Sequence, residues 1–351
     1  MVETMLAERF YADTKTIKVE EIPIPHPGPG EVLIKVAYCG ICHSDLSLIS
    51  GAFPAELPVI TQGHECSGEI VELGPGVEGW EIGDRVSPSA GRPCGKCRRC
   101  QRGDYDNCLD LRLMAFAFDG AWAQYCISRV QGLTRIPEGV DMRQAAILPD
   151  AVATPFGAVV RTGKVHPGNA VGVWGLGGVG THIMQLAKLA GALPVIAVDV
   201  NDAALERAQR LGADFMFRSD DPDLRQKIFD ATRGRMIDVA FDAVGISPTV
   251  KQAVSMLDNN GRCVCVGISA QQMEIGPFLD FTLKRKEVVG HLGYKNVDIS
   301  ILAEMLEFGR LDLSESISDV VSLPNIETGI YNLAHKVNNP IRILVDPWMD
   351  V

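Results

Sequence analysis

The sequence predicts an α/β fold in which a doubly wound parallel sheet is inserted into a β-rich domain that is discontinuous along the chain. Three observations carry this. From residue 170 to 267, short apolar runs alternate with segments of helical periodicity, the pattern of parallel strands joined by crossover helices. Before residue 137 the pattern is short strands broken by prolines and glycines, and after residue 289 the chain returns to a mixed pattern ending in an apolar strand. At 351 residues the chain exceeds one ordinary core, so two domains are expected, one from residues 1–151 with 293–351 and one from residues 152–292.

Composition narrows the class. With 46% hydrophobic and 22% charged residues the chain reads as soluble and globular. Its 33 basic and 44 acidic residues leave a net charge of −11, which argues against nucleic acid or an anionic membrane as partner. The first residues lack the basic and then apolar order of a secretory signal. Residues 165–187 hold no Asp, Glu, Lys or Arg, but their glycines, a proline and two histidines make a poor membrane span. A cytoplasmic location is expected, where thiols stay reduced and free to bind metal.

Within the first lobe, Pro23, Pro25, Pro27, Gly28, Pro29 and Gly30 precede the apolar run Val32-Leu33-Ile34-Lys35-Val36, suggesting small strands joined by rigid turns. Cys39-Gly40-Ile41-Cys42-His43-Ser44-Asp45 then gathers a thiol, an imidazole, a hydroxyl and a carboxylate, and Gly63-His64-Glu65 follows. Singly, Cys42 reads as a small buried hydrophobe and His64 as a core histidine. Together they supply two of the three protein ligands an open catalytic zinc needs. Further strands are expected over residues 69–77, 83–86 and 120–125.

Cys94-Gly95-Lys96-Cys97-Arg98-Arg99-Cys100, followed by Cys108, lets one loop wrap four sulfurs around a zinc ion. Four protein ligands make a closed, structural site. The competing reading, a disulfide knot, suits short secreted chains, whereas here ten cysteines are spread over 351 residues.

Near residue 150 the character changes. Residues 144–148 lead into Pro149-Asp150, and residues 153–160 continue as an apolar helical segment. Asp150 taken alone reads as a helix N-cap. The apolar run at 170–174 ends in Gly175-Leu176-Gly177-Gly178-Val179-Gly180, and the next helix is expected to bury Val179, Ile183, Leu186 and Ala190. A strand at 194–198 ends at Asp199, 19 residues after Gly180. A glycine-rich turn between strand and helix, with an acid closing the next strand, is the Rossmann fingerprint. Gly175 permits the turn, Gly177 lets the backbone approach a pyrophosphate, and Gly180 allows close helix packing. Asp199 accepts from both ribose hydroxyls and repels a 2′-phosphate, so NAD is expected over NADP. Helices at 202–211, 224–232 and 248–257 alternate with strands at 214–217, 237–244 and 262–267. A helix near 299–308, a helix from 324 to 336 and a strand at 340–345 complete the chain.

Cys39 to Asp45, Gly63-His64-Glu65, the four-cysteine loop, Gly175 to Gly180 and Asp199, in this order, resemble the zinc-dependent medium-chain alcohol dehydrogenase family over nearly the whole chain. The resemblance implies a GroES-like catalytic domain with a structural-zinc lobe at 92–110 and an inserted Rossmann domain, with zinc and nicotinamide held between them. It implies that Cys42 and His64 bind catalytic zinc with a third ligand just before the cofactor domain, here Asp150. Glu65 becomes a second carboxylate beside the metal or an alternate ligand, and Asp45 orients His64. Ser44 relays the alcohol's proton while hydride passes to the nicotinamide. His43 and Arg342 are placed near the pyrophosphate and Thr154 near the nicotinamide, with Leu176, Gly178, Val179, Val244 and Val266 as further cofactor contacts. Two zinc ions and NAD are thus the expected cofactors, a small alcohol or carbonyl compound the substrate, and a homodimer or homotetramer the assembly. Residues 262–267 are expected to be able to pair across a subunit boundary.

One departure stands out. Well-studied members end the relay in a histidine three residues after the serine, where this chain has Ser47, no base near neutral pH. The small residues Ser87-Pro88-Ser89-Ala90-Gly91 occupy a stretch that walls the substrate pocket in relatives, which favours bulky or cyclic alcohols. The alternatives in the same fold are a polyol or sugar dehydrogenase and a hydroxyacyl-CoA dehydrogenase. From another class comes a non-catalytic redox sensor using Cys39, Cys66, Cys126, Cys263 or Cys265.

Overall fold

Val32, Ile34, Val36, Cys39 and Ile41 are all buried, and the strand that carries them, Glu31–Ile41, lies inside a seven-stranded sheet. β-branched residues on a run buried over most of its length suit a strand with neighbours on both sides. Those neighbours are Cys66–Leu73, Tyr125–Arg129 and Arg342–Asp346, all antiparallel to it. In this computed structural model, which describes residues 3–351, the chain forms two units. One runs to Ala153 and resumes over Tyr294–Val351; the other is Thr154–Gly293.

In the first unit the strand expected at 120–125 lies further on, at Tyr125–Arg129. The amides of Gly120, Ala121 and Trp122 are taken by the carbonyls of Thr61, Gly63 and Gln62 at 2.8–2.9 Å, so this stretch clamps the loop carrying His64 instead of joining the sheet. Trp122 is fully buried, and its indole N–H donates to Gly40 O at 3.1 Å. A Cβ at Gly63 would meet the Trp122 ring at 2.4 Å, and φ is +87° there, so only glycine suits this position before His64. Strands Thr4–Tyr11 and Ile317–Ser322 were not expected. Ile317–Ser322 alternates too weakly to be read without its parallel partner Arg342–Asp346.

The second unit is one sheet of six parallel strands, ordered Phe215–Arg218, Val195–Asp199, Val171–Trp174, Ile237–Asp242, Leu257–Cys265, Glu287–Gly290. Chain order reverses between Val171–Trp174 and Ile237–Asp242, which opens a crevice at their carboxyl ends. Trp174, Ile196, Val198, Ile237, Ala240 and Cys263 fill one core against Ile228, Val250 and Val254 of the covering helices.

Two expectations need correction here. Helix Gly178–Leu189 buries Gly180, Ile183, Met184, Leu186 and Ala187, while Val179 and Ala190 are only partly covered, so its apolar face starts one residue later. Residues 262–267 cannot pair across a subunit boundary, because Leu257–Cys265 is hydrogen-bonded on both sides, to Ile237–Asp242 and to Glu287–Gly290. The open edges belong to Phe215–Arg218 and Glu287–Gly290.

Candidate functional site

Cys42 stands at the N-terminus of helix His43–Ser50, and its backbone N–H donates to Asp45 Oδ2 at 2.9 Å. The other oxygen of Asp45 lies 3.2 Å from His64 Nδ1. With Nδ1 held there, Nε2 faces Asp150 Oδ2 at 3.5 Å, and Cys42 Sγ lies 3.2 Å from the same oxygen. The donor atoms of Cys42, His64 and Asp150 all fall within 4.8 Å of one another. Asp150 does not cap a helix. It sits inside the wide turn Leu148–Val152, a π-helical segment whose geometry aims its carboxylate at the other two groups.

A thiol, an imidazole and a carboxylate meeting in a largely buried place fit the donor set of a catalytic zinc: three potential ligands of mixed hardness, with a carboxylate fixing the imidazole from behind. Burial tends to raise the Asp150 carboxyl, but the His64 hydrogen bond and charge and the Arg342 guanidinium hold it well below the usual carboxylate range. Glu65 is fully buried; its Oε2 accepts from Ala151 N at 3.0 Å and its Oε1 pairs with Arg342 Nε at 3.0 Å. Burial pushes the Glu65 carboxyl up, against the pull of Arg342. A Cβ on Gly40 would stand 2.1 Å from Glu65 Oε1, so Gly40 makes room for this side chain.

Arg342 is 2% exposed and also reaches Asp150 Oδ2 at 3.5 Å, so its guanidinium joins the carboxylates around the metal donors. Ser44 Oγ lies 3.2 Å from His64 Nε2. Ser47 donates to His43 O at 3.1 Å, in its own helix, and His43 is exposed.

The loop Cys94–Cys108 brings four sulfurs within 4.8 Å of one another. Cys97 Sγ is 3.6 Å from Cys100 Sγ and 3.9 Å from Cys108 Sγ, beyond the roughly 2 Å of a disulfide. Backbone N–H groups of Cys94 and Asp110 point at Cys108 Sγ at 3.3 and 3.4 Å; amides of Cys100 and Leu109 lower the Cys97 thiol, whereas burial pushes the Cys100 thiol up to about 12. This donor set fits a closed structural zinc.

In the second unit Gly175 has φ +87°, and a Cβ on Gly180 would stand 1.7 Å from Gly175 O, so the turn and the helix packing both require glycine. Gly177 caps the helix and has nothing within 4 Å of its would-be Cβ, leaving the helix N-terminal amides open to an anion. Leu176 is anchored from both sides: its N–H donates to Asp199 Oδ2 at 2.7 Å and its carbonyl accepts from Thr181 and Arg207. A Cβ on Gly175 would meet Val244 at 2.5 Å, Val266 N donates to Asp242 O, and the carbonyl of Thr154 lies 2.9 Å from His291 Nε2. The glycine turn and the open helix N-terminal amides fit a dinucleotide phosphate.

Sequence reasoning missed three contributors. Tyr294 Oη accepts from Ala90 N at 2.9 Å, so an aromatic side chain stands against the small residues of the expected pocket wall. Ser87 is not on that wall, because its hydroxyl donates to Cys66 O inside the sheet. Phe116 packs its ring 5.8 Å from that of His64. Buried Glu8 accepts from Gln62 N at 2.7 Å, steadying the strand end before His64. No local pattern marks any of them.

The family profile "Alcohol dehydrogenase GroES-like domain" matches residues 28–138 and "Zinc-binding dehydrogenase" matches residues 178–309. A sorbitol dehydrogenase of Halalkalibacterium halodurans is 33% identical over 94% of this chain and 95% of its own. The chain belongs to the zinc-dependent medium-chain alcohol dehydrogenase family. An alcohol dehydrogenase of Geobacillus stearothermophilus is 34% identical, covering 95% of this chain and 97% of its own. A zinc-binding dehydrogenase of Sinorhizobium meliloti, solved bound to NADP, superposes with a TM-score of 0.91 at 29% identity over 98% and 100% of the two chains. As a zinc-dependent medium-chain dehydrogenase the protein is an oxidoreductase acting on CH–OH groups. For four of its five thiols the sensor reading also meets a physical objection, since Cys39, Cys66, Cys126 and Cys263 are buried and poorly placed to meet an oxidant, whereas Cys265 is half-buried.

Proposed function

We propose that this protein interconverts a secondary alcohol and its ketone with NAD, using Cys42, His64 and Asp150 as catalytic zinc ligands and Cys94, Cys97, Cys100 and Cys108 as structural ones. The observation that carries the reading is the convergence of three unlike donors beside the Ser44 hydroxyl. Bound there, zinc would polarise the alcohol oxygen and lower its pKa, while NAD accepts the hydride. Ser44 is placed to take the departing proton. Asp45 keeps His64 in the ligating orientation, and Arg342 offsets the charge of Glu65 and Asp150. In the second unit Asp199 would accept from the ribose hydroxyls and the amides after Gly177 would hold the pyrophosphate. We assign the zinc chemistry to the unit ending at Ala153 and resuming at Tyr294, and NAD to Thr154–Gly293.

The substrate reading rests on the wall at Ser89, Ala90 and Gly91. Small residues leave width for a bulky or cyclic alcohol, and the Ser89 and Tyr294 hydroxyls add polar contacts suited to a second substrate hydroxyl. Polyols are therefore the second reading, which the sorbitol dehydrogenase relative supports. NADH formation across primary, secondary, cyclic and polyhydroxy alcohols tests both. Turnover confined to ethanol-sized primary alcohols would overturn them.

No helix among the described residues is long and apolar enough to cross a membrane. Ten free cysteines, five of them arranged for metal, fit a reducing cytoplasm. A homodimer would form by pairing the edge strand Glu287–Gly290 with its copy, since Phe278, Leu279, Leu283 and Leu292 beside it are 71–90% exposed.

A further inference from the structure

Met5, Ala7 and Phe10 give the strand Thr4–Tyr11 its buried apolar residues, and Glu8, fully buried among them, is the exception. Burying a carboxyl is costly unless it gains a partner. Its partner is the loop that carries His64: Glu8 Oε2 accepts from Gln62 N at 2.7 Å. The neighbouring groups of that loop are claimed by others. Thr61 N donates to Asp119 Oδ1 at 2.9 Å, and the carbonyls of Thr61, Gln62 and Gly63 accept from Gly120, Trp122 and Ala121. Without Glu8 the Gln62 N–H would be a buried orphan. Gln62 then passes the contact on, since its Nε2 donates to Asp45 O at 3.2 Å, and Asp45 Oδ1 stands 3.2 Å from His64 Nδ1. Consecutive hydrogen bonds between buried residues thus run from Glu8 to a metal donor.

The surroundings favour a neutral Glu8. Its Oε1 and the Oε1 of Gln62 are buried acceptors that no donor among the described residues reaches, and a proton on Glu8 turns one of them into a donor. Asp45 faces it from helix His43–Ser50 and Asp119 from the loop before Trp122, both acidic. Arg9, beside it on its own strand, is committed to Thr61 and Asp119. We propose that Glu8 is a positioning residue of the zinc site: as a neutral acid it fixes the Gln62 amide and, through the Gln62 side chain, the aspartate that aims His64 at the metal. The inference rests on the reading of Cys42, His64 and Asp150 as zinc ligands. It carries a pH dependence, because burial pushes the Glu8 carboxyl up to about 8, and above that an unsolvated anion stands against Asp45, whose charge His64 shares.

The test is the rate at which purified holoprotein yields zinc to a coloured chelator, read at about pH 6.5 and about pH 9. The four-cysteine zinc is the internal control, since a general loss of stability would speed release from both sites. Glu8→Leu should release the catalytic zinc about tenfold faster than wild type at the lower pH, and the structural zinc at the wild-type rate. Glu8→Gln keeps an oxygen for the Gln62 amide and cannot ionise. It should match wild type at the lower pH and hold the catalytic zinc longer than wild type at the higher one. Gln62→Met, which spares the backbone contact and removes only the link to Asp45, should show the same selective release even if Glu8→Leu does not fold. Unchanged release from Gln62→Met, or parallel pH curves for wild type and Glu8→Gln, would overturn the proposal. Wild type holding only the four-cysteine zinc would instead sink the ligand reading, and this inference with it.

Discussion

Asp45 accepts from His64 Nδ1 with one oxygen, at 3.2 Å, and from Cys42 N with the other, at 2.9 Å. One fully buried carboxylate therefore sets the ring orientation of one metal donor and the backbone position of another. Asp45→Asn preserves the shape but weakens both contacts, and should lower zinc affinity or kcat/KM by about ten- to a hundredfold. Metal analysis alongside kinetics checks this; unchanged values for both would show that Asp45 only caps its helix.

Asp150 carries the third donor on a separate element, so removing it should empty one site and spare the other. Asp150→Ala is expected to purify with about one zinc per chain where the wild type holds about two, and to lose turnover while keeping its fold. Cys97→Ser is the mirror case: it should lose the other zinc and lower Tm, because the lobe is then held by three thiols. Two zincs retained in Asp150→Ala would remove Asp150 from the ligand set.

Glu8 links stability to pH. Burial raises its carboxyl from 4.5 to about 8, against the Gln62 amide bond that favours the anion. Between those values the folded chain holds a proton that the unfolded chain has released, so stability from this group is complete below the lower value and falls as pH rises through the upper one. Wild-type Tm should therefore drop as pH is taken from about 6 to about 9, and Glu8→Gln, which cannot ionise, should flatten that drop. Parallel Tm–pH curves for the two proteins would show that Glu8 is not the group responsible.

Leu283 and Leu292 flank the edge strand Glu287–Gly290 and are 71% and 82% exposed. Leu283→Asp combined with Leu292→Asp should convert the proposed homodimer to a monomer in light scattering, because buried unpaired charge opposes association. An unchanged mass would overturn the proposed pairing through this edge.

Features encoded within short stretches were legible without coordinates. The four cysteines from Cys94 to Cys108 sit on one loop, and Gly175 to Gly180 joins adjacent elements, so spacing alone carries their geometry. The alternation of strand and helix from Val171 onward fixed the parallel sheet for the same reason, since each period is local. The strand at Tyr125–Arg129 and the edge at Glu287–Gly290 escaped because sheet membership depends on which distant backbone supplies the hydrogen bonds.

What tertiary structure decided is long-range. Asp150 Oδ2 meets Cys42 Sγ across 108 residues, Arg342 reaches Asp150 across 192, and Tyr294 reaches Ala90 across 204. A lone aspartate before an apolar helix is locally indistinguishable from a cap, and an arginine opening the last strand could face any anion. Only packing, which places Arg342 against Glu65 and turns Asp150 inward on a π-helical segment, makes them parts of one charged cluster. Local sequence determines elements through backbone sterics and periodicity, whereas a site assembled from four segments exists only once hydrophobic burial has brought those segments together.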